Sequence, residues 1–392
     1  MTAHATAAHA APRTPGRRAP RGRRRRAALV TLVLAAALPL AACGVRLETP
    51  APTEPSPDAH EIVRRTAVDD ALAVSAIVAD VTPTVTDPDV LAVLAEAQDF
   101  AEQHAQALGG VYDSGLADSP ATEDGTSSAG SGGVTTTPPE DGAADGEEGG
   151  AEDGEEGGAA TTGPDDATSD GSAPDGPTPG ATAAEPTTDD VVVALVGAAQ
   201  RTRASAGETQ DGPLARLLAS VSTSEHDSAL RLAALTGSTA AEDLPGGATP
   251  VEEAPSGVGA ADLATLVEAE DAAGYAYEVR AALEDGGVRS DAVARAAQHR
   301  ARAQGWALAA GTDGTAQDPR RTAYVLPDDE GTAALAQRLE TELAGSYASL
   351  VATAAPASRA DAVALLTDSW LAAVAWGAAP VAFPGLPEQA GS

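Results

Sequence analysis

The chain has one cysteine, one methionine, two phenylalanines and no lysine in 392 residues, and aromatics make up only 3%. A lone cysteine cannot form an intramolecular disulfide, so packing must hold any fold together. Without lysine the basic residues are 24 arginines, set against 58 Asp and Glu, for a net charge of −34. Repulsion from phosphate opposes any nucleic-acid contact, and no basic patch with interleaved aromatics offsets it. There is also no phosphate-cradling Gly-rich loop, nucleophile elbow, zinc motif or Ser, His, Asp constellation. Nucleic acid, nucleotides and enzymatic hydrolysis are therefore excluded from the reading. The absence of lysine beside abundant Ala, Gly and Arg points to a GC-rich coding sequence.

The bases that are present crowd the front. Residues 13–26 hold eight arginines and no acid, and "AALVTLVLAAALPLAAC" follows as a short apolar run ending in small residues at Cys43. Leu40, Ala41, Ala42 and Cys43 resemble the lipobox of bacterial lipoproteins, which implies a signal peptide over 1–42 and lipidation of Cys43 on its sulfur, with palmitate or a similar acyl group. About 16 apolar residues fall short of the ~20 that span a bilayer, which disfavours an uncleaved anchor. Arg25 and Arg26 leave both Sec and twin-arginine export open. Cleavage would remove eight arginines and no acid, moving the net charge from −34 to −42. The expected location is the extracytoplasmic face of the cell membrane, lipid-anchored, with a short tether over 43–56.

Residues 113–187 contain eighteen acids, no base or aromatic, and only Leu116 and Val134 as large apolar side chains. Such a segment cannot repay its ordering entropy and reads as a disordered acidic low-complexity insert. Its near-repeat "DGEEGGA", at Asp145 and again at Asp153, lacks the ligand spacing of a calcium loop. Helical periodicity flanks the insert. Ser56 and Pro57 signal one helix start, Asp87 and Pro88 a second, with Gly109 and Gly110 as its stop. Thr188 starts a third helix and Pro213 a fourth, so that 57–112 and 188–236 each form a hairpin. Two arrangements fit: one four-helix bundle interrupted by a spacer, or two loose hairpins on a tether. On these helices His104 and Glu225 fall on apolar stripes.

A linker over 237–257 precedes the part richest in large rings, with Trp306, Trp370, Trp376 and four of the five tyrosines. Large rings dominate burial, so this is the better-specified core. Four helices read out at 259–285, 290–310, 330–354 and 357–378, with Gly286, Gly287 and Gly311 as stops and Ser290 as a start cap. An up-down bundle with short first and last hairpin loops follows. The fold class is thus all-α: a bundle over 258–380 with a tail at 381–392, and a second helical region before it, also counted as four helices.

Several polar residues share the apolar stripes of this second region. Glu270 lies among Leu263, Val267, Tyr277 and Ala281, and His299 is in register with Ala292, Ala296 and Trp306. Glu340 and Glu342 flank the stripe of Leu339, Leu343 and Tyr347, and Asp368 is surrounded by leucines. Inward carboxylates and histidines from four helices are the plan of bundles that bind two iron or manganese ions. Such bundles use Glu three residues before His, whereas Pro57, Ala101, Thr223 and Ala296 stand at that position before His60, His104, His226 and His299. The leading expectation is therefore no cofactor, with Glu270 and His299 as a buried polar pair and Arg300, Arg302 or Tyr347 as further partners. The alternative keeps Glu270, His299, Glu340, Glu342 and Asp368 as ligands of iron or manganese.

"AEDAAGYAYEV", "AAQHRARAQGWAL", "YVLP", "LETELAGSYASL" and "LLTDSWLAAVAW", in this order, resemble the ferritin-like domain of unknown function found in actinobacterial lipoproteins and secreted proteins. Glu270, Tyr275, Tyr277, His299, Arg300, Tyr324, Pro327, Tyr347 and Trp376 carry that pattern. Asp271 departs from it, because the family usually has His after the first-helix Glu. The resemblance implies a four-helix bundle and no particular chemistry. The expected function is a membrane-anchored, noncatalytic helical lipoprotein with a structural or interaction role and an envelope protein as partner. The rival is iron or manganese binding or oxidation at a degenerate carboxylate site.

Overall fold

The computed structural model describes residues 56–113, 185–245 and 250–389. The expected signal peptide over 1–42, Cys43, all but the last residue of the expected tether and nearly all of the acidic insert lie outside them. Among the described residues there are eight α-helices and no strand. In chain order they are α1 (Ala59–Val81), α2 (Pro88–Ala107), α3 (Thr188–Glu208), α4 (Gly212–Thr236), α5 (Ala260–Ala281), α6 (Gly286–Ala309), α7 (Thr332–Thr353) and α8 (Ala360–Ala375). None of these helices is long and apolar enough to cross a membrane.

Side chains that satisfy the free amides of the first turn fix the starts. Asp58, rather than Ser56, caps α1 by accepting from the Glu61 amide. Asp87 caps α2 with Pro88 behind it, and Thr187 and Asp190 close a reciprocal capping box on α3. Asp211 accepts from the Leu214 amide to start α4, and Gly237 ends it in the left-handed conformation at φ 73°. At α6 the reading of the glycines is corrected. Gly286 and Gly287 open the helix instead of stopping the previous one, and Ser290 lies one turn inside, its hydroxyl turned back to the Gly286 carbonyl. No side-chain cap forms there, so the glycines carried no local signal of direction.

The first four helices form one closed bundle, with α1 packed on α2 and α3, and α4 on α2 and α3. His60 lies beside Asp211, and Asp70 pairs with Arg201, so α1 and α3 run antiparallel. The second bundle has the same order. Glu270 meets Tyr347 and Tyr277 meets Glu340, which makes α5 and α7 antiparallel. Arg295 meets Glu340 and Trp306 meets Tyr347, which makes α6 and α7 parallel. The connection between α6 and α7 therefore runs the length of the bundle, the single long crossover of ferritin-like folds. In the first bundle the acidic insert occupies the corresponding place in the chain.

The bundles are not separate bodies on a linker. α4 packs on α7 and α8, and one apolar cluster runs from Val68 and Leu218 through Val221 to Leu343, Tyr347 and Leu365. Gly212 permits this contact, since a Cβ there would stand 2.3 Å from the Ala352 carbonyl. Arg359, almost fully buried at the α7–α8 turn, donates to the carbonyls of Ala206 and Thr209 at 3.1 and 2.6 Å, at the end of α3. A cation there complements the carbonyl end of that helix.

The described parts of the linker and of the tail are packed. In the linker, Ala241 and Leu244 are buried in the first bundle, and Val251 lies on α6 where Gly305 leaves room for its carbonyl. In the tail, Ala382, Phe383 and Leu386 are core residues. Their apolar side chains are too few and too irregularly spaced for periodicity to reveal, and burial against other elements decides their state.

Candidate functional site

Spacing along the helices builds the interior of the second bundle. Glu270 and Tyr277 are seven residues apart on α5, as are Glu340 and Tyr347 on α7, so each pair shares a face two turns apart. Because α5 and α7 run antiparallel, the pairs cross. Tyr277 Oη donates to Glu340 Oε1 at 2.8 Å, and Tyr347 Oη donates to Glu270 Oε1. From α6, Arg295, His299 and Arg302 project along one stripe, and α8 adds Asp368.

His299 stands between the two glutamates and is fully buried with both. Its Nδ1 lies 2.6 Å from Glu270 Oε2 and its Nε2 3.0 Å from Glu340 Oε1. An ionised carboxylate only accepts, so both ring nitrogens must donate, and the ring is an imidazolium. Burial alone would push His299 down, but the charges of Glu270 and Glu340 overcome it and raise the ring above its ordinary value. Glu340 also receives Arg295 Nε and Nη2, each at 2.6 Å. Burial opposes its ionisation, yet His299 and Arg295 hold its carboxyl at about 2. Asp368 accepts from Arg295 Nη1 and Arg302 Nη2, both at 2.6 Å, and these charges outweigh burial to keep it low. Three carboxylates thus face two guanidiniums and one imidazolium, a neutral set. The Tyr277 ring stacks on His299 with centroids 5.4 Å apart, and Trp376 covers Tyr277.

Of the residues singled out from sequence, Glu270, His299, Glu340, Asp368 and Tyr347 meet here. Glu342 does not; it is exposed beside Arg338 at 3.3 Å. Arg300 points away from the network, to Glu278 at 2.7 and 2.9 Å and to Asp271. Asp271 also accepts from Tyr324 Oη at 2.7 Å and the Arg321 amide at 3.2 Å, and so fastens the crossover connection to α5. Arg295 was missed. Its signal was a place on the stripe of His299 and Arg302, four and seven residues away. Among the described residues no group of three or more His, Cys, Asp and Glu is arranged to hold a metal ion. Arg295 occupies the space between Glu340 and Asp368, and the balanced charge gives a cation little to neutralise.

Fold and site together define an all-helical double bundle whose C-terminal half is held around a charge-balanced buried network. Residues 262–388, about a third of the chain, match a family described as a domain of unknown function, DUF4439. No curated protein and no solved structure matches the chain.

Proposed function

We propose that the protein is a lipoprotein anchored through Cys43 on the extracytoplasmic face of the membrane, and that its helical core serves an interaction or structural role in the envelope without catalysis of its own. One observation carries the noncatalytic part: every carboxylate of the buried network already has a cationic partner, so none is free as a base, nucleophile or ligand. The anchor rests on the apolar run and on Leu40 to Cys43. Cys43→Ser should abolish palmitate labelling and move the protein from the membrane to the soluble fraction; unchanged membrane association would reject the anchor.

A second reading, an iron or manganese site, draws on the meeting of Glu270, His299 and Glu340 at one point inside the bundle. Metal content of the full chain after exposure to iron and manganese separates the two. The structural reading expects no stoichiometric metal in wild type. About two ions per chain, lost in Glu340→Ala, would replace it with the metal reading.

A further inference from the structure

A cavity of about 710 Å³ opens where α2, α7 and α8 meet the segment after α8. It falls within the range of small-molecule sites, about 300 to 1,000 Å³. At about 30 Å³ per water-sized group, roughly twenty non-hydrogen atoms fit. Both phenylalanines of the chain, Phe100 and Phe383, line it together with Trp370. Trp370 and Phe383 are also buried in the core, and Phe100 is half-buried beside them.

The wall formed by the C-terminal segment is fixed in place. His104 Nε2 donates to the Ala382 carbonyl at 2.7 Å, and its ring stands edge-on to Phe383 with centroids 5.4 Å apart. Ser220 Oγ donates to the Pro384 carbonyl at 2.7 Å, and Arg216 pairs with Glu388 at 2.5 Å. This wall is therefore preformed, which lowers the ordering cost of binding. Gly345 faces it from the middle of α7. Glycine inside a helix costs up to about 1 kcal/mol relative to alanine. A Cβ at Gly345 would meet only the Gly385 carbonyl, at 3.8 Å. Packing does not require glycine there, and what the missing side chain preserves is open volume.

Charge narrows the occupant. Among the described residues the one charged side chain of the lining is Glu342, at the exposed rim and paired with Arg338, and the chain as a whole is strongly acidic. An anion would be repelled, and among the described lining residues no buried carboxylate faces the cavity to hold a cation. We propose that this cavity binds a neutral, largely apolar small molecule, held by Phe100, Trp370 and Phe383. Its walls come from both bundles, so the occupant also strengthens their contact.

Titration of the full chain with the neutral probe N-phenyl-1-naphthylamine, read by probe fluorescence and energy transfer from tryptophan, should give saturable binding at one site. Gly345→Leu and Thr341→Trp, the second at an exposed helix position lining the cavity, should each weaken it at least about tenfold with unchanged circular dichroism. Gly287→Leu, remote and with nothing within 4 Å of its Cβ, should bind as wild type. 1-Dodecanol should displace the probe, and dodecanoate should do so at least about tenfold less well. No saturable binding to wild type, or unchanged binding in whichever filling variant folds, overturns the site. Displacement by dodecanoate equal to that by the alcohol overturns the neutral class.

Discussion

In the C-terminal bundle three carboxylates enter the core with three cationic partners, whereas in the N-terminal bundle Glu225, His226 and Asp227 follow one another along α4 with no such set. Every residue from Ser220 to Ser228 is buried, because α4 has α2 and α3 on one side and α7 and α8 on the other. Several of its hydroxyls are satisfied: Ser222 donates to the Ala199 carbonyl at 2.8 Å, and Thr223 lies 3.0 Å from Thr367. Among the described residues Glu225 Oε2, His226 Nε2 and Ser224 Oγ have no partner. Burial, with the nearby Asp70 charge, pushes Glu225 well up despite Thr202 and Arg201. Burial lifts Asp227 to about 6, although Arg231 lies 3.9 Å away, and Glu96 adds to the rise. Burial and then Arg203 lower His226 to about 4, and burial takes His104 to about 4 against the pull of the Ala382 carbonyl. Two bundles of one helix order thus handle interior polarity in opposite ways. One supplies a full set of counter-charges and keeps its groups ionised; in the other Arg201 and Arg231 do not offset burial, and the neutral forms are favoured.

The largest effect should come from removing the cation that joins Glu340 to Asp368. Arg295→Ala leaves two buried carboxylates short of partners and should cost about 3–5 kcal/mol in urea denaturation. In the first bundle Arg201→Ala, at a half-exposed pair with Asp70, should cost less than about 1 kcal/mol. Equal losses would erase the contrast. Next, Tyr347→Phe removes a donor to a buried carboxylate and should cost about 1.5–3 kcal/mol. Glu225→Met removes a buried acid without a counter-charge and should leave stability unchanged or raise it by about 1 kcal/mol; a clear loss would show that Glu225 is paired after all.

The smallest effects appear in the histidine titrations. By proton NMR His299 should remain an imidazolium at pH 7, while His104 and His226 should take up protons only near pH 4. The signs follow from the direction of each shift. His299, raised, contributes stability that is complete below its ordinary value of 6.5 and is lost as pH climbs through its folded value. His104 and His226, lowered, contribute stability that is complete above 6.5 and is lost as pH falls through about 4. Glu340, lowered to about 2, holds its contribution above 4.5 and loses it as pH falls toward 2. Between pH 6.5 and 4.5, hydrogen exchange corrected for intrinsic rates should show α2 losing protection before α6.

Much of this architecture was legible without coordinates. Asp87 with Pro88, Pro213 and Gly237 mark helix ends by chemistry that acts within one turn, and the Glu270 and His299 stripes identify interior polar groups by period alone. The parts that were not legible depend on distant segments. Arg295 reads as surface until Glu340 and Asp368 are seen around it. Phe383 reads as tail until α2 covers it, and the polar run "SVSTSEHDS", where only Glu225 was placed on an apolar stripe, is buried on every side because a second bundle closes over it.

Capping, periodicity and composition act locally, so the helicity of the described segments, most helix ends and the concentration of aromatics in the C-terminal half were readable from the residues alone. Long-range packing settled that α4 is central, that the described parts of the linker and of the segment after α8 are packed, which carboxylates meet which cations, and that a cavity remains at Gly345. Those outcomes depend on which surfaces far apart in the chain exclude water from one another, and no local pattern encodes that.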